Sequence, residues 1–264
     1  MHKRWITAAV AFASLFPILP SQTQAQTAPA SAPVCAAPEE FTHLDQPLRR
    51  TALALAAGGP VVIVAVGSSS TAGAGATTPA RSYPAQLEAE LRARFPASSI
   101  TVINSGANGE VARQMLARFE ETVLQAKPHL VLWQVGTNAV LHDHLVTGEA
   151  PLLHEGIRRL KAAQTDIVLI DSQYAPKVLA KPNIFGMLAL LAKTAREEQI
   201  GLFQRFAVMR HWVEVDRVPF ETLLSPDGLH MNDWSYGCIA RLIANALVQA
   251  VRHPAIAHAP ARRR

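Results

Sequence analysis

This chain of 264 residues has few cysteines, few long apolar segments and little net charge. No long apolar run follows residue 19, so we expect no membrane-spanning segment in the mature protein. The formal charge of +5 carries little information, because five of the basic residues lie at the two ends, as Lys3, Arg4 and residues 262–264. The remaining 20 basic residues match the 20 acidic ones. This balance gives no support for a nucleic-acid partner.

The first 40 residues differ in composition from the rest of the chain. Lys3 and Arg4 precede the apolar residues 5–19, and residues 23–25 (TQA) follow. This pattern predicts a secretory signal peptide over residues 1–25, cleaved after about Ala25. An uncleaved anchor is the alternative, but an apolar run of roughly 15 residues is shorter than the span of about 20 that a bilayer requires. Residues 26–40 then form a leader rich in proline and alanine.

The rest of the chain predicts one folded domain over residues 41–253 and a basic tail over residues 254–264. Hydrophobic residues make up 49% of the sequence, which is enough for one sizeable core. The sequence after residue 60 contains no break rich in proline and glycine that would indicate a second domain. We therefore expect a single-domain protein in the periplasm or outside the cell.

The only two cysteines are Cys35, in the leader, and Cys238, in the last predicted helix. An exported protein matures in an oxidising compartment, where cysteines pair. We predict a disulfide that joins the leader to this helix. Two separate thiols are the alternative.

Strand and helix patterns alternate along the domain. Short β-branched runs predict strands over residues 61–66, 100–103, 130–135, 167–170 and 201–205. Longer amphipathic segments predict helices over residues 83–94, 112–125, 149–163, 183–198 and 233–251. Because parallel strands need helical crossovers, this order predicts a doubly wound parallel sheet in a three-layer α/β/α sandwich.

Polar residues follow the predicted strands, at the sheet edge where such folds bind ligands. Ser69 follows the first strand, and a late loop carries Asp227 and His230. A serine hydroxyl becomes a good nucleophile when a base accepts its proton and a third group orients that base. We therefore predict Ser69 as nucleophile, His230 as base and Asp227 as its orienting carboxylate. Ser68 and Ser70 are the alternative nucleophiles.

Four segments resemble the blocks of the SGNH, or GDSL-type, hydrolase family, which supply Ser, Gly, Asn and His in that order. They are residues 67–71 (GSSST), 104–109 (NSGANG), 136–138 (GTN) and 227–230 (DGLH), and the resemblance covers residues 60–250. It implies a flavodoxin-like α/β/α fold and an oxyanion hole made by Ser69, Gly109 and Asn138. We prefer Gly109 because it directly precedes a predicted helix start, where a backbone N–H is free; Gly106 is the alternative.

The sequence departs from the family pattern at two positions. Ser68 stands where the family usually has aspartate, and Ala139 stands where aspartate often follows the asparagine of the third block. These changes bear on loop geometry and substrate range, whereas the catalytic set is intact. We also expect Tyr174 and Lys177 to line the substrate groove.

We expect no metal or other cofactor. Residues 142–144 (HDH) are imaginable metal ligands, but we interpret them as part of a solvated loop. The resemblance implies a serine esterase, and the signal pattern predicts its export. Export and a shallow site of loops on an open sheet favour an acylated carbohydrate or lipid of the cell envelope as substrate, with O-acetyl groups on carbohydrate preferred. A lysophospholipase or short-chain acyl esterase, or an O-acyltransferase with the same residues, is the alternative. A non-catalytic envelope-binding module is the alternative of another class.

Overall fold

The computed structural model describes residues 34–252. The predicted signal peptide, the leader up to residue 33 and the predicted tail over residues 254–264 lie outside the described residues. The described residues belong to one compact unit. None of the helices within residues 34–252 has both the length and the hydropathy needed to cross a membrane.

Five parallel strands form the central sheet, in the spatial order β2-β1-β3-β4-β5. Their bounds are β1 Pro60–Gly67, β2 Ser99–Gly106, β3 Leu130–Gln134, β4 Asp166–Ile170 and β5 Gly201–Phe203. This is the doubly wound, flavodoxin-like order, in which the chain reverses direction across the sheet between β1 and β3. The predicted α/β/α sandwich is therefore confirmed.

Helices cover the sheet and connect its strands. Their bounds are α1 Glu39–Thr42, α2 Arg49–Ala56, α3 Ser69–Ala72, α4 Tyr83–Arg94, α5 Ala112–Ala117, α6 Phe119–Thr122, α7 Thr137–Leu141, α8 Val146–Ala162, α9 Pro176–Leu179, α10 Ile184–Glu198, α11 Arg205–Glu214, α12 Phe220–Leu223 and α13 Asp233–Val251.

Burial explains the strongest elements. All five residues of β3 and the last five of β1 are buried, as expected for central strands covered on both faces. In α4, Leu87 and Leu91 lie one turn apart and are buried, with a proline in the first turn. The Asn232 side chain caps α13 by accepting a hydrogen bond from the Ser235 N–H. The bounds of α4 and α13 coincide with the predicted ones.

Two predicted elements differ most from the structure. The single helix over residues 112–125 is interrupted at Arg118, whose backbone leaves the helical conformation (φ −109°, ψ 5°). The Arg118 guanidinium reaches back to the carboxylate of Glu110 and the hydroxyl of Ser105. The strand predicted over residues 201–205 ends at Phe203, and Arg205 instead begins α11, a helix that the sequence did not indicate.

The leader is joined to the domain by the predicted disulfide, between Cys35 and Cys238. The two Cα atoms are 5.4 Å apart, although 203 positions separate the residues in the chain. The indole N–H of Trp212 also donates to the carbonyl oxygen of Ala36 at 2.6 Å, and the Trp212 ring packs edge-on against Trp234. The last residues of the leader are thus attached to α11 and α13.

Removing the disulfide should reduce stability without changing the fold. Because the bridge closes a long loop, we expect Cys35→Ser to lower the free energy of unfolding by about 2–5 kcal/mol. Denaturant titration of the oxidised proteins measures the difference. A reducing agent should lower the wild-type midpoint to that of the variant and leave the variant unchanged. Equal midpoints for both oxidised proteins would contradict a stabilising bridge.

Candidate active site

Three chain segments leave the sheet together at the point where the strand order reverses. Gly67, the last residue of β1, pairs with Gly106, the last residue of β2, and Val66 pairs with Trp133 of β3. The carboxyl ends of these strands are therefore level. The segments that follow them begin at the same edge of the sheet, which is where open α/β sheets bind ligands.

Ser69, His230 and Asp227 form one hydrogen-bonded chain at this edge. The His230 Nε2 atom is 2.8 Å from the Ser69 hydroxyl oxygen. On the other side of the ring, Nδ1 is 2.5 Å from Asp227 Oδ2. The imidazole therefore lies between a hydroxyl and a carboxylate, in the geometry in which a base can accept the serine proton.

The Asp227 carboxylate is held by several donors. Its Oδ1 atom accepts hydrogen bonds from the Ser225 hydroxyl and from the backbone N–H groups of Leu229 and His230, at 2.8 to 3.0 Å. Partial burial raises the pKa of Asp227, but the bonds from His230, Leu229 and Ser225 outweigh it and hold the pKa below its usual range. The carboxylate therefore remains ionised and fixes a proton on Nδ1 of His230, which leaves Nε2 as an acceptor.

Of the three adjacent serines, Ser69 alone faces His230. Ser68 is 2% exposed, and both its backbone N–H and its hydroxyl donate to Gln134 Oε1, at 2.9 and 3.0 Å. Ser70 is 1% exposed, and its hydroxyl contacts the side-chain oxygen of Gln173 at 3.5 Å. Ser68 and Ser70 are thus buried and contact glutamine side chains, whereas Ser69 is only partly buried.

Asn138 lies in α7, immediately after the third strand exit. Its Nδ2 atom donates to the carbonyl oxygen of Glu110 at 2.9 Å, which fixes the amide orientation and leaves the second N–H of that group for another acceptor. Glu110 is itself paired with Arg118 at 2.7 Å. The loop after β2 is therefore linked to the segment that carries Asn138.

Gly106 and Gly109 have different surroundings. The Gly106 N–H donates to the side-chain oxygen of Asn104 at 3.0 Å, and a Cβ at Gly106 would lie 2.2 Å from the backbone nitrogen of Ala72. Gly109 has φ +77° and open space around it. Within residues 34–252, the N–H groups of Gly109 and Ser69 have no hydrogen-bond acceptor. Gly106 is thus required by close packing, and Gly109 keeps a free donor.

The two residues predicted to line the groove differ in exposure. Tyr174 is 9% exposed, stacks on Phe220 with ring centroids 5.8 Å apart, and donates its hydroxyl to Glu214 at 2.6 Å. Burial and Glu214 raise the pKa of Tyr174 to about 12. Lys177 is exposed, and its backbone N–H contacts the Gly228 carbonyl oxygen at 3.4 Å, next to Asp227. Their contact with substrate stays a prediction.

The loop over residues 142–144 makes ordinary ionic contacts. Asp143 pairs with Lys181 at 2.7 Å, and His144 lies 3.3 Å from the Glu149 carboxylate. In the part of the chain that the structure describes, no three histidine, cysteine or acidic side chains are grouped as metal ligands.

From the sequence we assign no role to four polar residues that contact the segments around the site, namely Gln134, Gln173, Arg205 and Arg118. Gln134 ends an otherwise apolar strand, and Gln173 follows the exit of β4, so both positions offered a signal. Arg205 offered none, because its position at 0% exposure depends on packing between distant segments.

Comparison with known families identifies the chain. A model of the non-GDSL lipase-like family matches residues 34–253. The chain belongs to this family. The absence of aspartate between Gly67 and Ser69 agrees with the family description, and the resemblance to SGNH/GDSL-type hydrolases is confirmed. A search among curated protein sequences finds no match.

Solved structures share the fold at low sequence identity. A two-domain esterase active on acetylated mannans has a TM-score of 0.68 and 19% identity over 84% of this chain and 58% of its own. An acetylxylan esterase, Axe2 from Geobacillus stearothermophilus, has a TM-score of 0.60 and 18% identity, with 71% and 94% covered. A G-D-S-L family protein from Desulfitobacterium hafniense DCB-2 has a TM-score of 0.54 and 18% identity, with 71% and 99% covered. This chain thus spans under two thirds of the two-domain esterase.

The different surroundings of the two glycines lead to a stability prediction. A methyl group at Gly106 would overlap the backbone of α3, so Gly106→Ala should destabilise the fold by about 3 kcal/mol, the upper end of typical overpacking costs. Gly109→Ala meets no atom and should cost only about 1–2 kcal/mol for its left-handed backbone. Denaturant unfolding of both variants compares the two costs. An alanine at Gly106 that leaves stability unchanged would show that the contact is absent.

Proposed function

We propose that this chain is an exported serine esterase that hydrolyses carboxylic esters, with O-acetyl groups on carbohydrate as the substrate class. The observation that carries the proposal is the position of His230, within hydrogen-bond distance of both Ser69 and Asp227. A buried serine without a base, or a histidine without an orienting carboxylate, would not support a covalent mechanism. Membership of a lipase-like family supports the same reaction class.

In the proposed reaction, the Ser69 oxygen attacks the ester carbonyl carbon while His230 Nε2 accepts the hydroxyl proton. Asp227 keeps the ring in the required tautomer and stabilises the imidazolium that forms. The protonated His230 then donates its proton to the departing alcohol, and an acyl-enzyme remains on Ser69. Water attacks this acyl group with His230 again as base, which releases the acid and restores the serine.

The negative charge on the tetrahedral intermediate needs donors that are already in place. We assign them to the backbone N–H groups of Ser69 and Gly109 and to the Asn138 side-chain amide. The absence of another acceptor for these two N–H groups within residues 34–252 supports the assignment, as does the bond that orients Asn138 toward Glu110. Donors fixed in this way lose little energy to reorganisation during the reaction.

The choice of acetylated carbohydrate follows from the structural neighbours, whose names describe activity on acetylated mannans and acetylxylan. Export is supported by the Cys35–Cys238 disulfide, because such bridges persist in oxidising compartments, and by the signal pattern in residues 1–25. The substrate is then an ester of the cell envelope or of the surroundings.

Turnover by the purified mature protein tests the proposal. Acetate release from acetylated xylo- and manno-oligosaccharides should exceed hydrolysis of longer acyl esters, with p-nitrophenyl acetate as the reference. A preference for lysophospholipids or longer chains would favour the lipid alternative, and acetyl transfer to a sugar hydroxyl would favour a transferase. No turnover of any ester and no labelling by a fluorophosphonate would indicate a binding module.

Ser69→Ala should abolish turnover, because it removes the attacking atom. We expect a fall in kcat of about 10⁶-fold, as for other serine enzymes that lose the nucleophile. Thermal unfolding should show an intact fold. Ser70→Ala is the matched control and should cause a far smaller loss, since the Ser70 hydroxyl is buried away from His230. Near-full activity of Ser69→Ala would refute the assignment.

Asn138→Ala should reduce kcat by roughly 10²–10³-fold with little change in KM, because the amide donates mainly to charge that develops in the transition state. Steady-state kinetics separate the two constants. Asn183→Ala is a suitable control, since its Nδ2 atom also donates to a backbone carbonyl, that of His144, outside the proposed site. An effect confined to KM would make Asn138 a substrate-binding residue instead.

A further inference from the structure

A single buried glutamine, Gln173, contacts the neighbours of three proposed catalytic residues. Its Nε2 atom donates to the carbonyl oxygen of Leu229 at 3.1 Å. Its Oε1 atom lies 3.5 Å from the Ser70 hydroxyl and 3.4 Å from the Thr137 hydroxyl. Gln173 is 1% exposed, so these contacts are shielded from water.

Each contact is one residue away from a group that the proposed reaction uses. Leu229 precedes His230, Ser70 follows Ser69, and Thr137 precedes Asn138. The contact with the Leu229 carbonyl is the shortest of the three, and Leu229 lies in the segment that carries the base. A shift of the Leu229 carbonyl would move the His230 ring relative to the Ser69 hydroxyl, because the two residues share a peptide unit.

Arg205 determines which way the Gln173 amide points. The Arg205 guanidinium is 0% exposed, donates from Nη2 to Gln173 Oε1 at 3.0 Å, and donates from Nε to the carbonyl oxygen of Asp171 at 3.0 Å. A guanidinium can only donate hydrogen bonds, so it binds the amide oxygen and not the amide nitrogen. The nitrogen must then face Leu229, whose carbonyl can only accept.

We propose that Gln173 is a positioning residue, which holds the Leu229–His230 peptide in the position that places His230 Nε2 within hydrogen-bond distance of the Ser69 hydroxyl. This inference rests on the proposed esterase function. Gln173 touches neither substrate nor reacting atoms, and it acts through the backbone of the histidine loop. The fixed polarity of its amide, oxygen toward Arg205 and nitrogen toward Leu229, is what makes it suited to this role.

Gln173→Glu tests the polarity directly, because glutamate has the same shape and lacks the amide donor. One carboxylate oxygen keeps and strengthens the contact with Arg205. The other faces the Leu229 carbonyl, and two acceptors repel each other. We expect kcat to fall about 100-fold, the effect of a misplacement of about 1 Å, while KM changes less than about twofold. The thermal midpoint should shift by less than about 4 °C.

Gln204→Glu is the matched control. The Gln204 Nε2 atom also donates to a backbone carbonyl, that of Glu40, at 3.2 Å, and the residue lies outside the proposed machinery. The same chemical change at this position should leave kcat and KM at the wild-type values. Equal losses in both variants would mean that added charge, and not the lost donor, is responsible, and would overturn the proposal.

Gln173→Met removes the hydrogen bonds with Arg205 and with the Leu229 carbonyl without adding charge. It also provides a test if Gln173→Glu does not fold. We expect the same fall in kcat, with a lower thermal midpoint because Arg205 and the Leu229 carbonyl lose partners. Full kcat in either folded variant would overturn the positioning role. Failure of both variants to fold would overturn it as well, since Gln173 would then be a requirement of the fold alone.

The wild-type protein separates this inference from the proposed function. If wild type hydrolyses esters and Ser69→Ala does not, a Gln173→Glu variant with full kcat contradicts the positioning role only. If wild type neither hydrolyses an ester nor reacts with a fluorophosphonate, the esterase function itself is wrong. Fluorophosphonate labelling of Gln173→Glu should slow in proportion to kcat, because labelling also requires His230 to accept the Ser69 proton.

Discussion

The parallel pairing of β1 with β2 on one side and β3 on the other determines the positions of Ser69, Gly109 and Asn138. Because these strands end level with one another, Ser69, Gly109 and Asn138 leave the sheet within one crevice. The packing there leaves no room for a side chain at Gly67 or Gly106. A Cβ at Gly67 would lie 2.3 Å from Thr71 Oγ1, and a Cβ at Gly106 would overlap α3. Two glycines at the strand ends thus permit the close approach of these segments.

A buried polar layer lies directly beneath this crevice. Burying the Arg205 guanidinium is unfavourable, and the cost is partly offset by the hydrogen bonds from Nε to the Asp171 carbonyl and from Nη2 to Gln173, whereas Nη1 has no partner within residues 34–252. Burial raises the pKa of Asp171 to about 7, against the lowering effects of the Phe206 N–H and of Arg205. The layer restricts the orientations of its hydrogen-bonded side chains. It therefore links the stability of the core to the geometry of the loops above.

The sequence was informative where local chemistry decides structure. Leu87 and Leu91 repeat at the helical spacing, and this spacing predicts helix α4 with its observed bounds. Gly67 ends the first apolar run, and the sequence places Ser69 just after this strand. The sequence does not indicate helix α11, because the hydrogen-bond acceptor for its first turn lies far away in the chain. The Asp171 side chain accepts the Phe206 N–H at 2.8 Å, across 35 positions. The break at Arg118 and the contacts of Gln134 and Gln173 have the same origin, since each depends on a partner that only the folded chain brings near.

Ser68 stands where SGNH/GDSL-type hydrolases usually have aspartate, and Gln134 supplies a hydrogen-bond acceptor for the Ser68 hydroxyl and backbone N–H. A carboxylate at this position would be almost fully buried and would require a counter-charge or several donors. The Ser68 hydroxyl and backbone N–H instead share one neutral acceptor, Gln134 Oε1, which also lies 3.4 Å from the Thr71 hydroxyl. A neutral pair avoids the desolvation penalty of a buried ion while it fixes the turn that presents Ser69. The shape of this turn is thus maintained by hydrogen bonds between uncharged groups, and Asp227 is left as the carboxylate that orients His230.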